Sequence, residues 1–224
     1  MMHEMFIVGI TMLAFVLLFG LGEFLHHYKR VGAESTRRLV HAGSGVMALS
    51  FPLLFKSHWS VLVLSLGFFI LLLISQRWKY LMRSINGVKR KTAGSLLFPM
   101  VIYGCFALAQ LKGNDLFFYL PILILSIADP TASWLGMKLK WGKYSVFGND
   151  KTIIGSTGFI VVSFVITVLL LVFQPGISRE EILIIAGLVA IGSCISEALA
   201  NKGFDNLLIP ATVVVVLEST TRFL

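Results

Sequence analysis

Asp129 is the residue of this sequence whose surroundings most strongly suggest chemistry. It lies in an apolar stretch, about 13 Å of helical rise before Lys138, the first basic residue that follows. An ionised carboxylate at that depth in a membrane is costly and is usually functional. Pro130 removes a backbone donor and frees the carbonyl of Ser126, so we expect a kink or break beside the acid. A buried, hydrogen-bonded structural aspartate is the alternative.

A short polar turn leads into the next apolar stretch and reads Lys151-Thr152-x-x-Gly155-Ser156. The free amides and positive dipole end of a helix N-terminus attract anions, and Lys151 adds a full charge. The spacing differs from the GxxxxGK[ST] phosphate loop of soluble nucleotide hydrolases. The segment predicts either a phosphate cradle or an ordinary capped helix.

A similar string opens an earlier apolar stretch, where Lys91 precedes Gly94 and Ser95. If both helix starts face one cavity, they could hold several phosphates together, with Lys91 as a second phosphate ligand. A chance likeness between two helix caps is the alternative interpretation.

Two further groups of polar residues lie near span ends. Arg37, Arg38 and His41 have the spacing of one helical face, and small residues follow them, so the alternative is helix packing. Late in the chain the polar residues are Glu197, Asp205 and Asn206, with Pro210 nearby marking an irregular helix. Asp205 and Asn206 could instead cap the last span.

Together these residues predict polyanion chemistry at one membrane face. Carboxylates bind Mg²⁺, and Mg²⁺ with lysine and backbone amides binds a triphosphate. Residue types alone do not separate a kinase from a nucleotidyltransferase.

Membrane helices must position these groups. Of the 224 residues 57% are hydrophobic and only 13% are charged, which excludes a disordered chain and an ordinary soluble globule. Each crossing needs about 20 apolar residues. We predict an all-α polytopic bundle, residues 1–224 forming one integral-membrane catalytic domain, with broken helices on the cytoplasmic side. Eight spans are expected, at 5–25, 39–55, 59–76, 94–111, 117–136, 154–174, 181–199 and 207–221.

The second span is short and rich in glycine, so a re-entrant segment would reduce the number of crossings to seven. The first lacks a basic leader and carries Glu4, so we interpret it as a retained span, not as a signal peptide.

The basic residues indicate the orientation. Most of the 19 lysines and arginines lie in the loops after the first, third, fifth and seventh spans. The positive-inside rule places those loops, and with them the polar residues, in the cytoplasm and both termini outside. We therefore attribute the formal charge of +8 to membrane topology and to attraction of anionic lipid headgroups, not to nucleic-acid binding. Cys105 and Cys194 are interpreted as buried small residues.

At this point four motifs, in order, resemble those of the dolichol kinase and phytol kinase family of CTP-dependent integral-membrane polyprenol kinases. The likeness runs from about Arg37 to Pro210. The motifs are Arg38-x-x-His41-x-Gly43-Ser44-Gly45, Asp129-x-x-Ala132-x-x-x-Gly136, Lys151-Thr152-x-x-Gly155-Ser156 and Asp205-Asn206-Leu207-x-x-Pro210. Two positions depart from the family pattern: Ile154 replaces a common glutamate, and Phe204 replaces the first member of a late acidic pair.

The resemblance implies transfer of the γ-phosphoryl group of CTP to an isoprenoid alcohol such as phytol, geranylgeraniol, farnesol or a polyprenol. Asp129 would bind Mg²⁺ or orient the hydroxyl, and Lys151 would hold phosphate. Asp205 and Glu197 would be further metal or nucleotide contacts. The remaining implied nucleotide and phosphate contacts are Arg38, His41, Lys91, Gly136, Thr152, Gly155, Ser156 and Asn206.

Two other functions stay open at this stage, and so does a homodimer. A CTP-using cytidylyltransferase would make a CDP-lipid and release pyrophosphate, whereas a kinase releases CDP. A small transporter would use Asp129 and Glu197 as ion or proton sites. Against the transporter, the polar residues gather on one face, and no inverted repeat is evident in the sequence.

Overall fold

The computed structural model describes residues 2–77 and 93–220. Its elements are α1 (Met2–His27), α2 (Ala33–Ala48), α3 (Phe51–Leu54), α4 (His58–Arg77), α5 (Gly94–Lys112), α6 (Leu116–Leu123), a π-helical segment (Ile124–Ala128), α7 (Asp129–Leu139), β1 (Lys143–Val146), β2 (Asn149–Thr152), α8 (Ile153–Leu171), α9 (Arg179–Leu199) and α10 (Asp205–Ser219).

The helices confirm the predicted all-α membrane bundle. Within the described residues, 6 helices are long and apolar enough to cross a membrane. They correspond to the first, third, fourth, fifth, sixth and seventh predicted spans. The helices at the other two positions are shorter, with 16 residues in α2 and 15 in α10. The number of eight crossings therefore stays a prediction.

The irregularity predicted beside Asp129 takes a form other than a break. The π-helical segment runs directly into α7, so one helical path extends from Leu116 to Leu139. A wider π turn accommodates Pro130, which has no backbone N–H to donate. The irregular helix expected at Pro210 is absent, because α10 is continuous through that residue. There the proline removes only one hydrogen bond of the second turn.

A β-hairpin stands where the sequence indicated only a polar loop. β1 and β2 pair antiparallel, with Lys143 opposite Thr152 and Val146 opposite Asn149. Phe147 and Gly148 form the turn with φ values of 47° and 78°, the left-handed conformation that matches the twist of a two-residue hairpin. The hairpin delivers the chain directly to the start of α8.

The helices form two groups that meet at α2 and α5. In the first group α1 packs against α2 and α4, and α4 packs against α5. In the second group α8 packs against α7 and α9, and α10 packs against α9 and α5. Buried aromatic rings fill much of the interior, among them Phe51, Phe106, Phe117, Phe118 and Phe159. Cys105 and Cys194 are buried free thiols, as predicted.

Candidate active site

A polar cavity of about 420 Å³ lies where α2, α7, the hairpin, α8, α9 and α10 meet. Every predicted site residue within the described ranges lines it. These residues are Arg38, His41, Asp129, Gly136, Lys151, Thr152, Gly155, Ser156, Glu197, Asp205 and Asn206. Lys91 lies outside the described residues. The fold therefore brings together, from these six elements, side chains that the sequence had only suggested were related.

Asp129 is the acidic residue on which the charges of the cavity converge. It is the first residue of α7 and follows the π-helical segment. The charged groups that act on its carboxylate are Asp205, Glu197, Lys151 and Arg38. They come from α10, α9, β2 and α2, so several elements fix the electrostatic environment of this one side chain.

Lys151 and Glu197 form an ion pair at the edge of the cavity. The lysine Nζ also donates to the backbone carbonyl of Glu197, at 3.0 Å. The two side chains are only 21% and 10% exposed, so this pair is far less screened by water than a surface pair. The double contact fixes the end of the hairpin to the last turn of α9.

The Asp-x-x-Ala-x-x-x-Gly motif has a direct structural explanation. Ala132 and Gly136 lie on the face of α7 that meets α8 at Gly155. A Cβ on Gly136 would lie 2.6 Å from Thr152 Oγ1, and one on Gly155 would lie 2.9 Å from the carbonyl oxygen of Ala132. The small residues permit this close crossing, as in other membrane helix pairs. The crossing sets the start of α8 beside Asp129.

Hydrogen bonds hold the groups expected to cradle phosphate at the start of α8. Thr152 is the N-cap of α8, and its Oγ1 accepts from the Gly155 amide at 3.2 Å. Ser156 Oγ lies 2.6 Å from the hydroxyl of Tyr144 in β1. Nothing in the residue pattern indicated Tyr144, because its contact with Ser156 depends on the unexpected hairpin. These bonds hold the start of α8 in a defined geometry.

The wall formed by α2 combines a guanidinium with an aromatic contact. Arg38 Nη1 lies 3.2 Å from Met137 Sδ, which joins α2 to α7. The ring of His41 lies 4.5 Å from that of Phe98 between centroids. His41 Nε2 is buried and has no hydrogen-bond partner among the described residues.

The start of α10 forms a further wall, where neither Asp205 nor Asn206 occupies the N-cap position. Phe204 is the N-cap residue, with no side-chain cap. Asp205 Oδ1 instead accepts from the Asn206 amide at 3.0 Å. Asn206 Nδ2 donates to the carbonyl of Gly94 at 2.7 Å, joining the first turns of α10 and α5. Asn206 is thus a buried cross-link, with Asp205 exposed to the cavity beside it.

Arg37, which shares a helical face with Arg38 and His41, also lines the cavity, and so do residues that were not predicted, among them Asn149, Asp150 and Lys202. Asn149 Nδ2 donates to the carbonyl of Ala200 at 3.1 Å, which anchors the hairpin to the end of α9. Asp150 directly precedes Lys151, and Lys202 lies three residues before Asp205, and that proximity was the only signal available for them. The cavity thus contains charges of both signs.

One curated relative matches the chain over most of its length. The chain is 30% identical over 194 residues to a phytol kinase from Synechocystis sp., and the match covers 84% of this chain and 80% of the relative. The chain belongs to the phytol kinase family. This membership confirms the resemblance and the expectation of a lipid kinase, an enzyme that phosphorylates an alcohol. No protein-family model matches the chain, and no solved structure matches it.

Proposed function

We propose that this family member transfers the γ-phosphoryl group of CTP to the hydroxyl of an isoprenoid alcohol at the cytoplasmic end of the helices, with both chain termini outside. One observation carries the proposal: Asp129, Asp205, Lys151 and Arg38 line one cavity in a chain related to a phytol kinase. Phosphoryl transfer depends mainly on positioning and charge stabilisation, which such a cavity can supply.

The basic residues of the cavity are suited to binding a triphosphate. Lys151 stands immediately before the N-terminus of α8, where the helix dipole adds positive potential. We assign phosphate binding to Lys151, supported by Thr152, Gly155 and Ser156, and assign Arg38 to the opposite wall. Before nucleotide binds, the ion pair with Glu197 holds the Lys151 ammonium in position. When nucleotide binds, Lys151 would exchange part of that contact for a phosphate oxygen.

The acidic side fits a hard cation. Among the described residues, no three His, Cys, Asp or Glu side chains form a cluster that could hold a metal ion. Mg²⁺ needs no such cluster, because one or two carboxylates and substrate phosphates suffice. We assign Asp129 and Asp205 as its protein ligands; when bound, the ion would neutralise phosphate charge. Glu197, the third predicted metal contact, is engaged by Lys151 and is assigned to that pair.

Asp129 fits two roles in the transfer, one toward the alcohol and one toward the cation. Its carboxylate could accept a hydrogen bond from the alcohol and orient the oxygen toward the γ-phosphorus, or it could act only through the cation. Replacement of Mg²⁺ by Mn²⁺ separates the two roles in Asp129→Asn, because an altered metal requirement indicates a ligand.

The test is a product assay on purified protein with Mg²⁺ and γ-labelled CTP. Phytol, geranylgeraniol, farnesol and a longer polyprenol are offered in turn, with ATP and UTP as alternative donors. We expect label in a lipid monophosphate and release of CDP. Labelled pyrophosphate with a phosphatidate acceptor would indicate the cytidylyltransferase instead. Solute flux in liposomes without nucleotide, and no transfer by folded protein, would indicate the transporter.

A further inference from the structure

A second, apolar cavity lies between α1, α2, α4 and α5. Its lining includes Phe19, Ser44, Phe68, Leu72, Phe98 and Ile102. Phenylalanine rings pack closely around it, with centroids 4.9 Å apart for Phe15 and Phe68 and 5.6 Å apart for Phe19 and Phe68. The space inside is narrow, about 30 Å³. These rings face the protein interior. Hydropathy alone would not distinguish them from rings that face lipid.

Two helices lead from the polar cavity into this apolar one. On α2, His41 lines the polar cavity and Ser44 lines the apolar cavity, about 4.5 Å further along the helix. On α5, Gly94 contacts the cavity residue Asn206, and Phe98 lines the apolar cavity one turn later. The His41 and Phe98 rings touch, so this ring pair stands at the boundary between the two cavities.

The boundary also carries a polar atom without a partner. His41 Nε2 is buried and makes no hydrogen bond to any described residue. A buried polar group left unsatisfied is costly, so this nitrogen requires a partner, which a ligand hydroxyl could supply. A hydroxyl placed here would lie at the end of the polar cavity, with apolar side chains behind it.

We propose that the apolar cavity binds the first isoprene units of the alcohol substrate, and that the His41–Phe98 pair marks where its hydroxyl enters the polar cavity. The inference rests on the proposed kinase function. An isoprenoid alcohol has one polar end on a wholly apolar chain, and the two neighbouring cavities, which meet at the His41 and Phe98 rings, have the same division. Because the cavity is narrow, the phenylalanine side chains would rearrange to admit the tail, whose remainder would extend into lipid.

The test begins with binding, without nucleotide. Purified wild-type protein in detergent is photolabelled with a farnesol analogue that carries a diazirine in its tail, and the labelled residues are mapped. We expect label on residues lining the apolar cavity, and competition by unlabelled phytol. Label confined to lipid-facing residues, or competition by phospholipid but not by phytol, would overturn the proposal.

Matched variants on α5 then test the cavity kinetically. Ile102 is 4% exposed and lines the cavity, whereas Met100 is 55% exposed on the same helix. Ile102→Trp should lower kcat/KM for phytol by about tenfold relative to its effect on prenol, which has a single isoprene unit and would end before Ile102. Met100→Trp should leave that selectivity within about twofold, since it adds the same bulk outside the cavity. Equal selectivity in both variants would contradict the proposal, and the milder Ile102→Ala provides the comparison if the tryptophan variant fails to fold.

The two proposals fail in different ways. Photolabel in the cavity of a protein that phosphorylates no alcohol supports the tail site and rejects the kinase assignment. Phosphorylation of the alcohol, with unchanged substrate selectivity in Ile102→Trp and no label in the cavity, supports the kinase and rejects the tail site.

Discussion

The polar and apolar cavities share α2 but are built in contrasting ways. The polar cavity joins charged and small residues from both ends of the described chain, and hydrogen bonds and an ion pair hold them. The apolar cavity is formed mainly by aromatic and aliphatic side chains of α1, α4 and α5. Loss of a charged substrate contact in the polar cavity should therefore impair turnover or nucleotide binding for every alcohol, whereas changes in the apolar cavity should only alter which alcohols are used. The predictions below test that difference, beginning with the largest effect.

Asp129→Asn should have the largest effect on turnover. It keeps the size of the side chain and removes the negative charge that the other charged groups of the cavity surround. We expect kcat to fall by about 10²- to 10³-fold, the range seen when one group that stabilises the transition state is lost. The γ-phosphoryl assay measures this, and tail photolabelling should be unchanged. Asp150→Asn, in the same cavity but solvent-exposed, is the control. Undiminished turnover in folded Asp129→Asn would remove Asp129 from the mechanism.

Two lysine–glutamate pairs offer a matched comparison. Lys151–Glu197 lines the cavity, whereas Lys112–Glu218 is 34% and 50% exposed and lies outside its lining. Lys151→Met should raise the KM for nucleotide by about tenfold or more and destabilise the protein by about 3 kcal/mol, since it strands a buried carboxylate. Lys112→Met should lower the free energy of unfolding by less than about 1 kcal/mol, because water screens this exposed pair.

A double variant separates the two effects of Lys151. Lys151→Met with Glu197→Gln should recover much of the thermal stability in detergent, because no charge is stranded, while nucleotide affinity stays low. Recovery of nucleotide affinity in the double variant would show that Lys151 does not contact phosphate.

Glycine substitutions test the helix crossing that shapes the polar cavity. Gly136→Ala places a Cβ 2.6 Å from Thr152 Oγ1, so we expect destabilisation of about 1–3 kcal/mol as the α7–α8 crossing opens. Gly104→Ala, in α5, would meet no atom within 4 Å and should be neutral or stabilising by up to about 1 kcal/mol. Thermal unfolding measures both, and similar shifts would mean that the crossing tolerates a methyl group.

Tyr144→Phe should have the smallest effect. It removes the hydroxyl that contacts Ser156 and leaves the ring in place. We expect a loss of about 1 kcal/mol, seen as a severalfold rise in the KM for nucleotide. Tyr103→Phe, whose hydroxyl lies near His58, should not change that KM. If both variants behave alike, the hairpin contact does not contribute to nucleotide binding.

Hydropathy was sufficient to predict most of the helices, because a membrane span requires a long apolar run whatever its neighbours are. The predicted span 94–111 and the observed Gly94–Lys112 show how closely such runs define helix ends. The prediction failed where tertiary contacts decide local structure. The β1–β2 hairpin lies where the sequence indicated only a polar turn, and its contacts with Ser156 and Ala200 are made to residues outside it.

The candidate site shows the same limit. Residue types were enough to select Asp129, Lys151 and Asp205, because charged groups in apolar surroundings are conspicuous. Partners were not predictable: Glu197 was interpreted as a metal contact, and only the fold shows it beside Lys151. The apolar cavity had no sequence signal at all, since an inward-facing phenylalanine and a lipid-facing one look the same in an apolar helix.

The hydrogen bond from Asn206 to the Gly94 carbonyl has a consequence for biosynthesis. It joins residues 112 positions apart, at the start of the helix that carries Asp205 into the polar cavity. During translation the earlier helices are made before this contact can form, and long-range contacts of this kind form slowly. The nascent chain therefore carries Asp129 without Asp205, and the protein gains its acidic pair only as its last described helix is inserted.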